Sequence, residues 1–277
     1  MAPDRAELRA HLIRTMIAGD VATPRQNNLL HMRRMAGGDP YYQFGLTFDR
    51  EWTERDVLKV MIDLCGVDAN PSHLYGDDTI DPDLTVGALE RMGDRIGLAA
   101  RERQTVVLAT GHPQPLIDLY DELARALTAA GCRVLRPAEG WTYQIQEWNG
   151  RRVNRHIAYT PAGVAYLVDD HRRGHHTHDP HPMNAMLDEL RAAAAEPGSV
   201  DAEAPLWPDL AIADHGWAGA AGEAGIDTVG FADCNDPALF VGEAEGKVQV
   251  VVPLDDGVSP QHYEPLTAFL LARAGLG

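Results

Sequence analysis

Hydrophobic and polar positions divide the chain into two regimes. Over the first hundred residues apolar side chains recur at helical spacing. Leu8, Leu12, Ile13 and Met16 mark a first amphipathic helix. Thr53 caps a second that carries Leu58, Met61, Ile62 and Cys65 and stops at Gly66. A third opens at Pro82, presents Leu84, Ala88, Leu89, Met92 and Ile96, and fades near Arg103. Thereafter short continuous apolar runs take over, each the length of a buried strand. Thr105 to Ala109 is followed by a glycine-bearing turn, a helix from about Gln114 to Ala130, Gly131, and a strand from Cys132 to Leu135. That succession is a βαβ unit. Leu210 to Ala213, Thr228 to Ala232 and Val248 to Val252 repeat the strand pattern, with a small-residue helix from Gly216 to Ala224 and a terminal helix from Pro260.

Between these blocks the pattern changes. Thr142 to Trp148 and Val153 to Tyr159 flank Asn149-Gly150, a strong two-residue hairpin signal. The run Val164 to Val168 either joins that hairpin or returns to the main sheet. A helix follows from Met183 to about Ala195, and the Pro/Gly/acidic stretch 196–208 reads as an exposed connection. The expected architecture is α/β: a mostly parallel, Rossmann-like sheet flanked by helices. A helical N-terminal region (1–103) and a β-hairpin insertion (141–170) belong to one domain over 1–277.

Charge narrows the partners. The formal net charge is −17, from 24 Lys+Arg against 41 Asp+Glu, which repels a phosphate backbone and excludes nucleic acid. A small phosphorylated metabolite remains admissible, because a metal ion or a local donor cluster can reverse the sign inside a cleft. No run of about 18 apolar residues and no apolar signal-peptide core occurs, so a cytoplasmic protein without membrane partner is expected. Cys65, Cys132 and Cys234 form neither a disulfide framework nor a structural zinc motif. A homo-oligomer is left open.

Ligands of open α/β sheets bind beyond the carboxyl ends of the strands, and several of those ends carry polar clusters. Thr110, Gly111 and His112 stand where a strand turns into a helix; they either cradle an anion or form a tight βα turn with a solvated histidine. Asp214-His215 follows the second strand, Asp233, Asn235 and Asp236 the third, and Asp255-Asp256 a fourth. Hard oxygen donors of this kind suit Mg²⁺ or Mn²⁺; the competing reading is that the aspartates cap the next helices. The segment from His171 to His181 holds five of the 12 histidines. His176 and His178 are its candidates for metal ligand or general acid, and His171, His175 and His181 its bystanders. Arg25 with Asn27 or Asn28 could grip an anion, or be surface neighbours of the caps Asp20 and Thr23.

As a set, Gly19-Asp20-Val21-Ala22-Thr23-Pro24-Arg25 with Asn27-Asn28, Ala109-Thr110-Gly111-His112-Pro113, His176-Thr177-His178, Ala213-Asp214-His215-Gly216-Trp217, Ala232-Asp233-Cys234-Asn235-Asp236-Pro237 and Val252-Pro253-Leu254-Asp255-Asp256 resemble an actinobacterial family of phosphatases of similar length. The resemblance spans nearly the whole chain and implies phosphatase activity without naming a substrate. Several familiar phosphatase chemistries are absent. Asp81-Pro82-Asp83 does not follow an apolar strand, no Arg-His-Gly occurs, and no cysteine has an arginine six positions on. The remaining expectation is metal-assisted hydrolysis of a small phosphate monoester. Asp214, Asp233, Asn235 and Asp236 would hold Mg²⁺ or Mn²⁺. Arg25, Asn28, Thr110, Gly111 and His112 would bind the phosphate, and His176, His178, Asp214 and His215 would serve the chemistry. The rivals are a nucleotide or sugar-phosphate binding protein that does not hydrolyse its ligand, and a phosphosugar isomerase or transferase.

Overall fold

Local capping signals begin the helices where the N-terminal pattern places them. In the computed structural model, which describes residues 2–146, 150–195 and 207–277, α1 (Arg5–Arg14) starts at a capping box between Asp4 and Glu7. It buries Leu8 and Leu12, while Ile13 and Met16 stay largely exposed. The chain then extends as β1 (Gly19–Pro24) and enters α2 (Arg25–Ala36), a short α3 (Pro40–Gln43) and α4 (Glu54–Leu64), the last capped by Thr53 as expected. β2 (Asp77–Ile80) pairs antiparallel with β1 before α5 (Pro82–Glu102). The N-terminal region is therefore not purely helical. Its two strands escape the apolar criterion because Asp, Thr and Pro fill them; only alternate residues, Val21 and Thr23 in one and Asp78 and Ile80 in the other, face inward. Asp81 caps α5 through the Asp83 amide, and Asp83 pairs with Arg9 at the surface, so Asp81-Pro82-Asp83 has a structural use.

A buried ion pair locks this region. Arg25 is fully buried at the start of α2, with Nη1 2.8 Å from Asp78 Oδ2 and Nε donating to the His73 carbonyl. Asn28 Nδ2 donates to the same carboxylate oxygen at 2.8 Å, and Asp78 Oδ1 accepts the Asp68 and Thr79 amides. Arg25 and Asn28, expected to grip a phosphate, instead fasten α2 to β2. Inside the protein a guanidinium must be matched, and here a carboxylate 53 residues away in sequence matches it.

The main sheet follows. In chain order come β3 (Thr105–Ala109), α6 (Pro113–Ala129), β4 (Arg133–Val134), β5 (Thr142–Gln146), β6 (Arg152–Tyr159), β7 (Val164–Val168), β8 (Gly174–His175) and α7 (His181–Ala195). Then come β9 (Leu210–Asp214), α8 (His215–Glu223), β10 (Thr228–Ala232), α9 (Pro237–Ala244), β11 (Val250–Pro253) and α10 (Glu264–Ala274). The strand order is β11-β10-β9-β3-β7-β6-β5, with β4 beside β3 and β8 on β7. From β11 through β7 the neighbours are parallel; β6, β5 and β8 pair antiparallel. The fold is α/β, with a mostly parallel sheet flanked by helices. The expected hairpin forms the antiparallel edge of this sheet, joined to it because β7 pairs both with β6 and with β3. Its turn at Asn149 and most of the 196–208 connection lie outside the described residues.

Chain direction across the sheet reverses at β3. From there β4 and β7 lie on one side and β9, β10 and β11 on the other. Right-handed crossovers then send the helices to opposite faces: α5, α6 and α10 pack together in one layer, and α7, α8, α9 and α4 in the other. Buried apolar side chains from Leu8 to Ala274 form one contiguous core. The reversal leaves a crevice between the carboxyl ends of β3 and β9.

Replacing Asp78 by Ala strands the buried Arg25 charge and is expected to cost about 3–5 kcal/mol of unfolding free energy. The double replacement Arg25→Met with Asp78→Leu should recover most of that loss. Chemical denaturation checks both; unchanged stability in Asp78→Ala would show that Arg25 is not held by this pair.

Candidate functional site

At the β3–β9 crevice four histidines and a group of aspartates meet. His215, the first residue of α8, is buried and its backbone lies in the left-handed region at φ 48°. A non-glycine residue there costs on the order of 1–2 kcal/mol, which the surrounding contacts must offset. Its Nδ1 stands 2.7 Å from Asp214 Oδ1. Its Nε2 faces three neighbours, His176 Nε2, Asp236 Oδ2 and Asp256 Oδ2, each at 3.4 Å. His178 stacks on His215 with ring centroids 4.9 Å apart, and His112 stacks on His176 at 4.4 Å. His112 Nδ1 lies 3.2 Å from Asp256 Oδ1. Two sets of side chains, His112/His176/His215 and His178/His215/Asp236, each bring one donor atom per residue within 4.8 Å of the others.

Two glycines let the histidine loop reach this point. A Cβ on Gly111 would lie 2.5 Å from the Thr177 carbonyl oxygen, and one on Gly216 would lie 2.2 Å from that of His178. The loop is also tied down by the Thr177 amide, which donates to the Gly111 carbonyl at 2.8 Å. β8, pairing back on β7, aims the loop into the crevice.

The turn after β3 does not cradle an anion. The Gly111 amide donates to Asp214 Oδ1 at 2.6 Å, the His112 amide to Thr110 Oγ1 and the Thr110 amide to the Ala165 carbonyl. Pro113 and Pro115, in the first turn of α6, carry no N–H at all. Thr110 and Gly111 therefore shape the turn and position Asp214, while His112 contributes its ring. Asp214 spends Oδ1 on Gly111 and His215, which makes it the residue that orients His215. Asp233 accepts the Cys234 amide, the Thr23 hydroxyl and the Asn235 side-chain amide, so Asp233 and Asn235 bind each other and β1. Helix capping explains neither Asp214 nor Asp236, since neither makes a side-chain cap hydrogen bond. His175 and His181 pair with Asp169 and Asp179 of their own segment, outside the cluster.

Asp256 is the residue that reading the strand ends undervalued. It touches both His112 and His215, but a carboxylate after a strand looks the same in sequence whether it caps a turn or faces a cleft.

Charge is unevenly matched here. Burial pushes the Asp236 carboxyl up to about 7, against the pull of His215. Burial together with Asp256, Asp255 and Asp236 raises Asp233 well above the ordinary carboxylate range. Burial opposes the charged form of His215, but Asp236, the Asp214 hydrogen bond and Asp256 outweigh it and raise its pKa to about 10. Burial and repulsion from His215 hold His176 at about 4 and His178 lower still. Both are neutral at physiological pH, the form that coordinates metal. His178 Nδ1 and Asp236 Oδ1 are buried without a hydrogen-bond partner. His176 is exposed, so solvent reaches the cluster from its side.

The sequence profile of a family described as "Phosphatase" matches residues 3–277. Phosphatase SCO2771 of Streptomyces coelicolor is 48% identical over 279 residues, covering 99% of this chain and 97% of that protein.

Gly216→Ala should push the 176–179 loop out of the crevice. The histidine ring signals in NMR are expected to shift, with a stability loss of about 1–3 kcal/mol from overpacking. Unchanged ring signals would mean that the loop does not depend on this close approach.

Proposed function

The chain belongs to this phosphatase family, and from that premise we propose that it hydrolyses a small phosphate monoester with a divalent ion held by His178, His215 and Asp236, beside Asp256 and His176. The observation that carries the reading is the spacing around His215 Nε2. Two ligands of a tetrahedral ion at about 2.1 Å stand about 3.4 Å apart. Asp236 Oδ2 lies 3.4 Å from that nitrogen, as do Asp256 Oδ2 and His176 Nε2 beside it, and one donor atom each of His178, His215 and Asp236 fall within 4.8 Å of one another. The partnerless Asp236 Oδ1 and His178 Nδ1 support it, since buried polar atoms are rarely left unmatched. So does the charge of the site, which needs a cation before it can accept an anionic ester.

The donor set also bears on which ion. Oxygen donors alone lead to the expectation of Mg²⁺ or Mn²⁺; an imidazole-rich set with one or two carboxylates favours Zn²⁺, Mn²⁺ or Fe²⁺ over Mg²⁺. Such an ion would supply positive charge to the phosphoryl oxygens and acidify water. The protein's own residues do the rest. Asp214 holds His215 Nδ1 and leaves Nε2 facing His176, Asp236 and Asp256, the arrangement by which outer carboxylates would fix a ligand's tautomer. Asp256 links His215 to His112. Exposed His176 and half-buried His112 line one solvent-facing side of the cluster.

Phosphate release from a panel of sugar, nucleoside and simple alkyl phosphates tests this, before and after chelation and after adding back Mg²⁺, Mn²⁺ or Zn²⁺. Activity should vanish with the metal and return best with Mn²⁺ or Zn²⁺. Asp214→Asn should weaken metal affinity by about 10–100-fold, and Asp236→Asn should remove it without unfolding the chain. Full turnover in protein shown metal-free by elemental analysis would overturn the metal. Tight binding of an ester without turnover would instead favour the non-hydrolytic binding protein.

A further inference from the structure

We propose that Tyr41 is a stacking platform at the mouth of the site that selects phosphate esters carrying a flat aromatic ring, nucleoside or aryl, over aliphatic ones. The inference rests on the phosphatase reading for the position of the phosphate, and on separate observations for the ring.

Those observations concern how α3 is held. Asp39 caps it, accepting the Tyr41 amide. Behind it, Phe44 adopts the left-handed conformation at φ 54°, buries its ring and sets its carbonyl against α8, where a Cβ on Gly219 would come within 2.0 Å. Tyr42 packs its ring 4.7 Å from His31, and His31 Nδ1 is 2.7 Å from the Asn235 carbonyl oxygen. Two of the three aromatic residues are thus anchored, one in the core and one on the turn after β10. Tyr41 is different: it remains 59% exposed. Its ring centre is 5.1 Å from that of His178, inclined by 32°, and it meets Tyr42 edge-on at 5.1 Å. An exposed aromatic ring is thereby fixed directly over a member of the ligand set.

A tyrosine presented this way offers a large, rigid, apolar face with little rotamer freedom to lose. An ester whose phosphate lies at His215 and Asp236 extends away from the buried cluster, and a planar leaving group would meet Tyr41 past His178. Stacking on a ring tolerates many partners because every aromatic ring has a face. Tyr41 would therefore set a class of substrate, not a single compound.

The test uses the metal-loaded protein, with phenyl phosphate, a nucleoside monophosphate and glycerol phosphate as probes. Tyr41→Ala should raise KM for the ring-bearing esters by about 5- to 100-fold at nearly unchanged kcat. It should leave glycerol phosphate within about twofold, and Tyr41→Phe should behave as wild type. Preference for phenyl phosphate over the nucleotide, or the reverse, identifies which ring is served. Calorimetric binding of the same three esters to wild type and Tyr41→Ala reports on the platform even if no ester turns over, a result that would sink hydrolysis alone. Equal changes for all three esters, or none for any, would overturn the platform.

Discussion

One carboxylate organises the crevice. Asp214 Oδ1 accepts the Gly111 amide from the end of β3 and faces Nδ1 of His215 at the end of β9. It therefore ties together the two parallel strands between which the order of strand addition reverses. Removing it would free the β3 turn, release the tautomer of His215 and leave the left-handed backbone at His215 with one fewer contact to offset its strain. The close approach of the histidine loop depends on the same junction, because Gly111 and Gly216 flank Asp214 and His215 in space and both touch that loop. Geometry at the site is thus set from the sheet outward, and the exposed His176 is carried on a frame of backbone hydrogen bonds.

Much of this frame was legible along the chain. The strands at Thr105–Ala109 and Thr228–Ala232 match their apolar runs, since a strand buried on both faces leaves a continuous signal. The polar residues after them were also visible. What spacing could not reveal was direction. Asp214 and Asp233 are both aspartates after parallel strands, yet one turns to a histidine and the other to its own turn and to Thr23. Arg25 shows the same limit more sharply. An arginine among polar residues looks like an anion grip until β1 and β2 pair and set it against Asp78. That pairing is non-local, made by short strands with few apolar residues, and neither propensity nor periodicity encodes it.

The edge of the sheet tells a complementary story. Acidic members of the cluster follow parallel strands: Asp214 and Asp236 stand at the ends of β9 and β10, which have neighbours on both sides, and Asp256 follows the edge strand β11. His176 and His178 come from the antiparallel side, delivered by β8 folding back on β7. A hairpin edge can change length or sequence without disturbing the parallel core, so the two halves of the site are under different constraints.

Negative charge links these points to function. A protein of net charge −17 steers anions away over its surface, and its buried aspartates deepen that field in the crevice. Neutral His176 and His178 do nothing to counter it, and His215 offsets only part. Arg25, the one guanidinium singled out for a phosphate, is committed to Asp78. The arrangement is costly if the crevice holds only protons and water, since burial then pushes Asp233 and Asp236 toward their protonated forms in the folded state. With a doubly charged ion bound, as proposed above, it would become favourable, because carboxylates and neutral imidazoles are what such an ion requires. On the reading proposed above, the excess acidity that makes the resting site a poor phosphate receptor would be the feature that suits it to a metal-dependent one.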